Sequence, residues 1–146
     1  MAVAAGQIIT AADLAWNSGS VALTNDTNTA TISWQQWGTQ TIQFDDPGVK
    51  VMVRAWLIGR LVNHTDTGSN GAGRVQISTD GGVTFTPGSA AAVDVGTSVG
   101  PRAITSSMGY LSVVPTGDVI IKAELSVSDI SISGEDGSIM ADIFPI

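Results

Sequence analysis

The clearest pattern in the chain runs from residue 49 to residue 62. Its odd positions, Val49, Val51, Val53, Ala55, Leu57, Gly59 and Leu61, form one apolar face. Period-two alternation marks a strand with one side on a core. The even positions, Lys50, Met52, Arg54, Trp56, Ile58, Arg60 and Val62, are mixed. A second face bearing Met52, Trp56 and Ile58 is costly to leave in water, so it is expected to meet another subunit. Val119, Ile121, Ala123, Leu125 and Val127 repeat the alternation. Further strands are expected over 21–33, around Ile42 and Phe44 after a turn at Gly38, over 74–78, 83–86 and 139–146, and over 103–114 with a break at Gly109. Asp45-Asp46-Pro47-Gly48, Pro87-Gly88, Pro115-Thr116-Gly117-Asp118 and Glu135-Asp136-Gly137 read as turns. Residues 63–73 (NHTDTGSNGAG) and the small-residue stretch 89–101 read as loops. Turn signals about every ten residues predict an all-β fold, an antiparallel β-sandwich of jelly-roll type.

One helix signal precedes this. In ITAADL (residues 9–14), Thr10 is a fitting N-cap, Asp13 sits at N3, and Ile9 and Leu14 make a hydrophobic staple. Asn17-Ser18-Gly19-Ser20 ends the pattern. One or two helical turns do not hold alone in water. Residues 1–20 are therefore expected to form a short helical leader that docks through Ile9, Leu14 and Trp16, ahead of a sandwich over 21–146. No basic residue precedes the apolar start, which reads against a secretory signal. No run of 18 apolar residues is present, so no spanning helix and no membrane insertion are expected.

Composition narrows the function classes. A chain of 146 residues suits one domain. A net charge of −7 argues against wrapping nucleic acid, which needs a basic face. Charged residues are 13% of the chain, against about 25% in ordinary domains, which favours self-association. Without cysteine, and with His64 as the single histidine, neither a thiolate nor a multi-histidine metal site can form. Asp45-Asp46, Asp66 and Glu135-Asp136 offer oxygen ligands for calcium, but none has EF-hand spacing and each is accounted for as a turn. No nucleophile elbow, P-loop or dinucleotide fingerprint occurs. The expectation is a non-enzyme with no cofactor. Of Trp34, Trp37 and Trp56, at least one is expected in the core.

The stretch STDGGVTF, residues 78–85, resembles the Asp-box of bacterial sialidases. Those enzymes are propellers that repeat the box and use a Tyr nucleophile with an Arg cluster. Here the box occurs once, Tyr110 is the single tyrosine, and the arginines are scattered. The expected role is a rigid turn: Asp80 accepting backbone hydrogen bonds, Gly81 and Gly82 supplying unusual φ, and Phe85 packing beneath.

The opening GQIITAADL, residues 6–14, resembles the start of small minor tail proteins from phages and prophages of actinobacteria. NDTNTATISW and VIIKAELSVSDISISGEDGSIMADIF are similar in texture to the β-domain of that group. The resemblance implies a virion structural protein made in the bacterial cytoplasm, often a homotrimeric jelly roll at the tail tip or on the capsid surface. Its partners would be its own copies and other virion proteins, the latter through the leader. It brings no catalytic residue. The loops around Asn63, His64 and Asn70 and over 89–101 are expected at an exposed end that touches host-surface glycan. Capsid decoration and a small carbohydrate-binding module are the alternative readings.

Overall fold

The computed structural model describes residues 17–23, 33–43, 48–64, 69–88, 91–96, 100–127 and 132–146. The strands are β1 (Asn17–Ala22), β2 (Gln35–Ile42), β3 (Val51–Asn63), β4 (Ser69–Ser78), β5 (Thr86–Pro87), β6 (Ala91–Gly96), β7 (Gly100–Val113), β8 (Val119–Val127) and β9 (Ile132–Pro145). No helix occurs among the described residues. The expected helix over 9–14, with Ile9, Leu14 and Trp16, lies outside them. β1 begins at Asn17, within the stretch assigned to the leader.

Two antiparallel sheets form. The first has the order β1-β9-β3-β7, and the second has β2-β8-β4 with β5 and β6 both against the far side of β4. Pairing runs first strand with last and then inward: β1 with β9, β2 with β8, β3 with β7, β4 with β6. A long antiparallel ribbon wrapped over itself in this way is a jelly roll.

The odd face of β3 carries the core. Val51, Val53, Ala55, Leu57 and Leu61 are buried against Val75, Val119, Ile121, Ala123 and Leu125 of the second sheet. Trp37 crosses from β2 into this layer and lies on glycine backbone. A methyl at Gly59 would sit 2.3 Å from its ring, one at Gly137 2.4 Å and one at Gly134 2.9 Å. The glycines make the trough that admits an indole between sheets about 10 Å apart.

Glycine also explains where the expected boundaries fail. Gly38 is not a turn: β2 runs through it, with a register shift between Gln36 and Gly38 that turns Trp37 inward. Residues 69–73 are not loop but the first half of β4, where a Cβ on Gly71 would meet Leu61 Cδ1 at 2.4 Å. Much of 89–101 is likewise strand, as β6 and the start of β7. β7 passes unbroken through Gly109. Glu135-Asp136-Gly137 is a bulge inside β9 instead of a turn; Asp136 has φ 48°, and the β3 register shifts between Ile58 and Arg60.

Register also fixes the two ends of the molecule. Asn17 faces Ile143, and Val51 faces both Val113 and Pro145. Residues 1–16 therefore join the sheet at the end that holds the turns over 79–85 and 114–118. Asn63 faces Gly100 and Ile132, and Ser69 faces Gly96. The connections over 65–68, 97–99 and 128–131 join strands at the opposite end.

Candidate functional site

The outer face of the first sheet carries the even positions of β3. Trp56 stands between Met108 on β7 and Met140 on β9, and Met52 stands beside Phe144. Exposure is 45% at Ile58, 51% at Met108 and 72% at Tyr110, large values for apolar and aromatic side chains on one face. Met52, Trp56 and Ile58 thus share a contiguous patch. Met108, Tyr110, Met140 and Phe144 complete it, and reading β3 alone does not reveal them. The alternation Ser138, Met140, Asp142, Phe144 on β9 is the signal that finds two of them. Arg54 sits within the patch, its guanidinium 4.7 Å from the centre of the Phe144 ring and 5.3 Å from Trp56. It donates to Asp142 at 3.3 Å, while its buried Nε has no partner. The ion pair leaves the patch neutral.

At the end where β1 begins, the turn after β4 is closed by Asp80. The amides of Val83 and Thr84 donate to its carboxylate at 3.0 Å, and the Ser78 and Thr84 hydroxyls donate at 2.7 and 2.5 Å. The Thr84 hydroxyl first, then the Thr84 amide and the Ser78 hydroxyl, hold the carboxyl well below the usual carboxylate range. Gly81 and Gly82 have φ of 72° and 93°. The turn is tied to its neighbour: Gly81 N donates to the Asp118 carbonyl at 3.1 Å, and Thr116 N to the Thr79 carbonyl at 2.9 Å. Phe85 does not enter the inter-sheet core. It lies half-buried on the outer side, with the Lys122 ammonium 4.5 Å from its ring centre.

At the other end, Asn63 is fully buried and cannot be part of an exposed loop, whereas His64 and Asn70 are exposed. His64 Nε2 lies 2.8 Å from Ser133 Oγ, which donates to Glu135 Oε1 at 3.3 Å. Glu135 Oε1 is also 3.9 Å from the same His64 nitrogen. In a Ser-His-acid relay the carboxylate holds the other ring nitrogen. Here acid and hydroxyl crowd one nitrogen and Ser133 is buried, so the trio is not arranged as a relay. Asp136 is paired with Arg60. Asp45, Asp46 and Asp66 lie outside the described residues, and no group of His, Asp and Glu among the described ones could hold a metal.

The outer face of the second sheet has a feature that sequence reading missed. Glu124 is buried there, its carboxylate gripped by Arg74 Nε and Arg74 Nη2 at 2.7 Å, Gln76 Nε2 at 3.0 Å and Lys122 Nζ at 3.0 Å. The Arg74 guanidinium lies 4.2 Å from the centre of the Trp34 ring. The residues that assemble the cluster are up to 50 positions apart, so no local pattern announces it.

No helix among the described residues is long and apolar enough to cross a membrane. No protein-family model matches the chain, and no curated protein does. Among solved structures, the chain is similar to the infectious bursal disease virus VP2 subviral particle, with 12% identity, 88% of this chain and 33% of that chain covered, and a TM-score of 0.56. It thus spans about a third of that protein, and the likeness is one of fold. A carbohydrate-binding module of Cellvibrio mixtus lichenase 5A aligns at 9% identity over 88% of this chain and 86% of that one, with a TM-score of 0.31, too low to bear on fold or ligand.

Proposed function

We propose that the protein is a structural component of a phage virion that self-associates through the outer face of its first sheet. The observation that carries this reading is the neutral patch of Trp56, Ile58, Met108, Tyr110 and Met140. Exposed apolar patches of this kind mark interfaces. The shared fold with a virus-particle protein supports the setting. The polar layout supports it further: residues 1–16 join at one end, while His64 and Asn70 sit toward the other, as suits a part that docks by one end. A homotrimer at the tail tip is the arrangement we favour, with capsid decoration as the alternative.

The patch also sets the strength of association. From Met52 to Ile58 it runs about 20 Å, and the three strands that carry it, β9, β3 and β7, span about 14 Å, so each copy offers about 300 Å². A pair would bury about 600 Å² through the patch alone, below the roughly 1,000 Å² of a stable specific interface. Association through this face alone is therefore expected to depend on concentration. Light scattering over a dilution series should show mass rising with concentration, and Met140→Lys or Trp56→Gln should leave a folded monomer. A wild-type monomer throughout would overturn the reading. Imaging of the native particle locates the protein, and copies per particle on a stained gel separate a tail part from a decoration protein.

A further inference from the structure

The Glu124 cluster does more than a fold-stabilising brace requires. A brace is complete once the carboxylate has its donors, yet two aromatic rings drawn from different connections are set against its two cations. Trp34 precedes β2, and its ring is held by Arg74. Phe85 follows the Asp80 turn, and its ring is held by Lys122. The cations are not used up by Glu124. A guanidinium has five N–H donors and an ammonium three; Arg74 gives two and Lys122 one to the carboxylate. Their side chains are 21% and 20% exposed. Two cations against one carboxylate leave the cluster itself with one positive charge in excess, on a chain whose net charge is −7. Asp80, the acid of the neighbouring turn, keeps its negative charge, but its oxygens are held by its own turn and not by Arg74 or Lys122.

We infer that this face binds an acidic oligosaccharide. The half-buried rings of Trp34 and Phe85 would take the C–H faces of sugar rings, and Arg74 and Lys122 would take a sugar carboxylate. The charged floor disfavours an apolar ligand, and one face with two cations gives little grip on a nucleic-acid backbone. The site lies on neither the first-sheet patch nor the Asn63 end where sequence reading placed glycan contact. It also stands apart from the virion reading: a free monomer that binds keeps it, and a virion component that does not bind loses it.

Titration of the purified full chain with a galacturonic acid hexamer tests the assignment, against a neutral galactose hexamer and a thymidine hexanucleotide. The acidic sugar should bind, and the neutral sugar should bind about tenfold more weakly, as should the acidic sugar to Trp34→Ala or Phe85→Ala proteins of unchanged melting temperature. Should Trp34→Ala fail to fold, Trp34→Leu and Phe85→Leu report on the same rings. Met140→Lys, on the opposite sheet, should bind as the wild type does. Absence of binding into the millimolar range overturns the assignment. So does equal binding of the neutral sugar or the nucleotide, or equal binding by the folded ring variants.

Discussion

Asp80 accepts hydrogen bonds from two amides and two hydroxyls, so its charge bears directly on the turn it closes. Its folded-state pKa is depressed, chiefly by the Thr84 hydroxyl. A depressed carboxyl adds stability that is fully present above its unfolded pKa, about 3.9, and is lost as pH falls toward the folded value. Asp80→Asn should therefore melt below the wild type from pH 5 upward, and the gap should close as pH drops below about 4. Thermal melts of the two proteins from pH 7 to pH 2 check this; a gap that is constant with pH would show that the charge is immaterial. Glu124 presents a different case, because its partners reach solvent and its carboxylate does not. Glu124→Ala strands Arg74 and Lys122 against a cavity. The loss should be about 2 kcal/mol in urea unfolding, below the roughly 3–5 kcal/mol of a fully buried pair because both cations can rehydrate.

Between strands, the packing of Trp37 on Gly59, Gly134 and Gly137 fixes how the sheets meet. An indole cannot bend away from a new methyl as a Leu terminus can. Gly137→Ala should cost about 1–3 kcal/mol. Pairing it with Trp37→Leu should cost less than the sum of the two single changes, a coupling that a double-mutant cycle reads directly. The same glycines show what could be read in the sequence. The alternation of β3 and β8 carries their burial, because each position's environment follows from period two. Asp80 is equally legible, since its partners lie within four residues. Gly38 and Asp136-Gly137 look like turns to local reading and Gly71 like loop, yet each is set by something distant: Leu23, Trp37 or Leu61 across the sheets. Glu124 reads as an ordinary outward strand residue until β4 is placed beside β8. The outer patch was half visible, because β3 announces Met52, Trp56 and Ile58, while its neighbours join only through register.

At the scale of the whole molecule, the two ends and the patch between them constrain any assembly. β3 spans 13 residues, about 43 Å, from the end where β1 begins to the Asn63 end. Copies that meet through the first sheet around an axis along the strands keep every Asn17, the start of β1, at one pole. An isologous pair whose axis crosses the strands sends these starts to opposite poles. The proposed docking through residues 1–16 onto one surface requires the first arrangement. The chain has no cysteine, so a single introduced one is a unique label. Val83, 82% exposed at the tip of the Asp80 turn, marks the end where β1 begins, and exposed Asn70 lies toward the other. Donor-labelled and acceptor-labelled Val83→Cys proteins, mixed at concentrations where the oligomer forms, should transfer energy efficiently. Donor Val83→Cys with acceptor Asn70→Cys should transfer poorly. The reverse ranking would mean that copies run antiparallel across the patch, which would overturn the proposed docking of all copies through residues 1–16 on one surface.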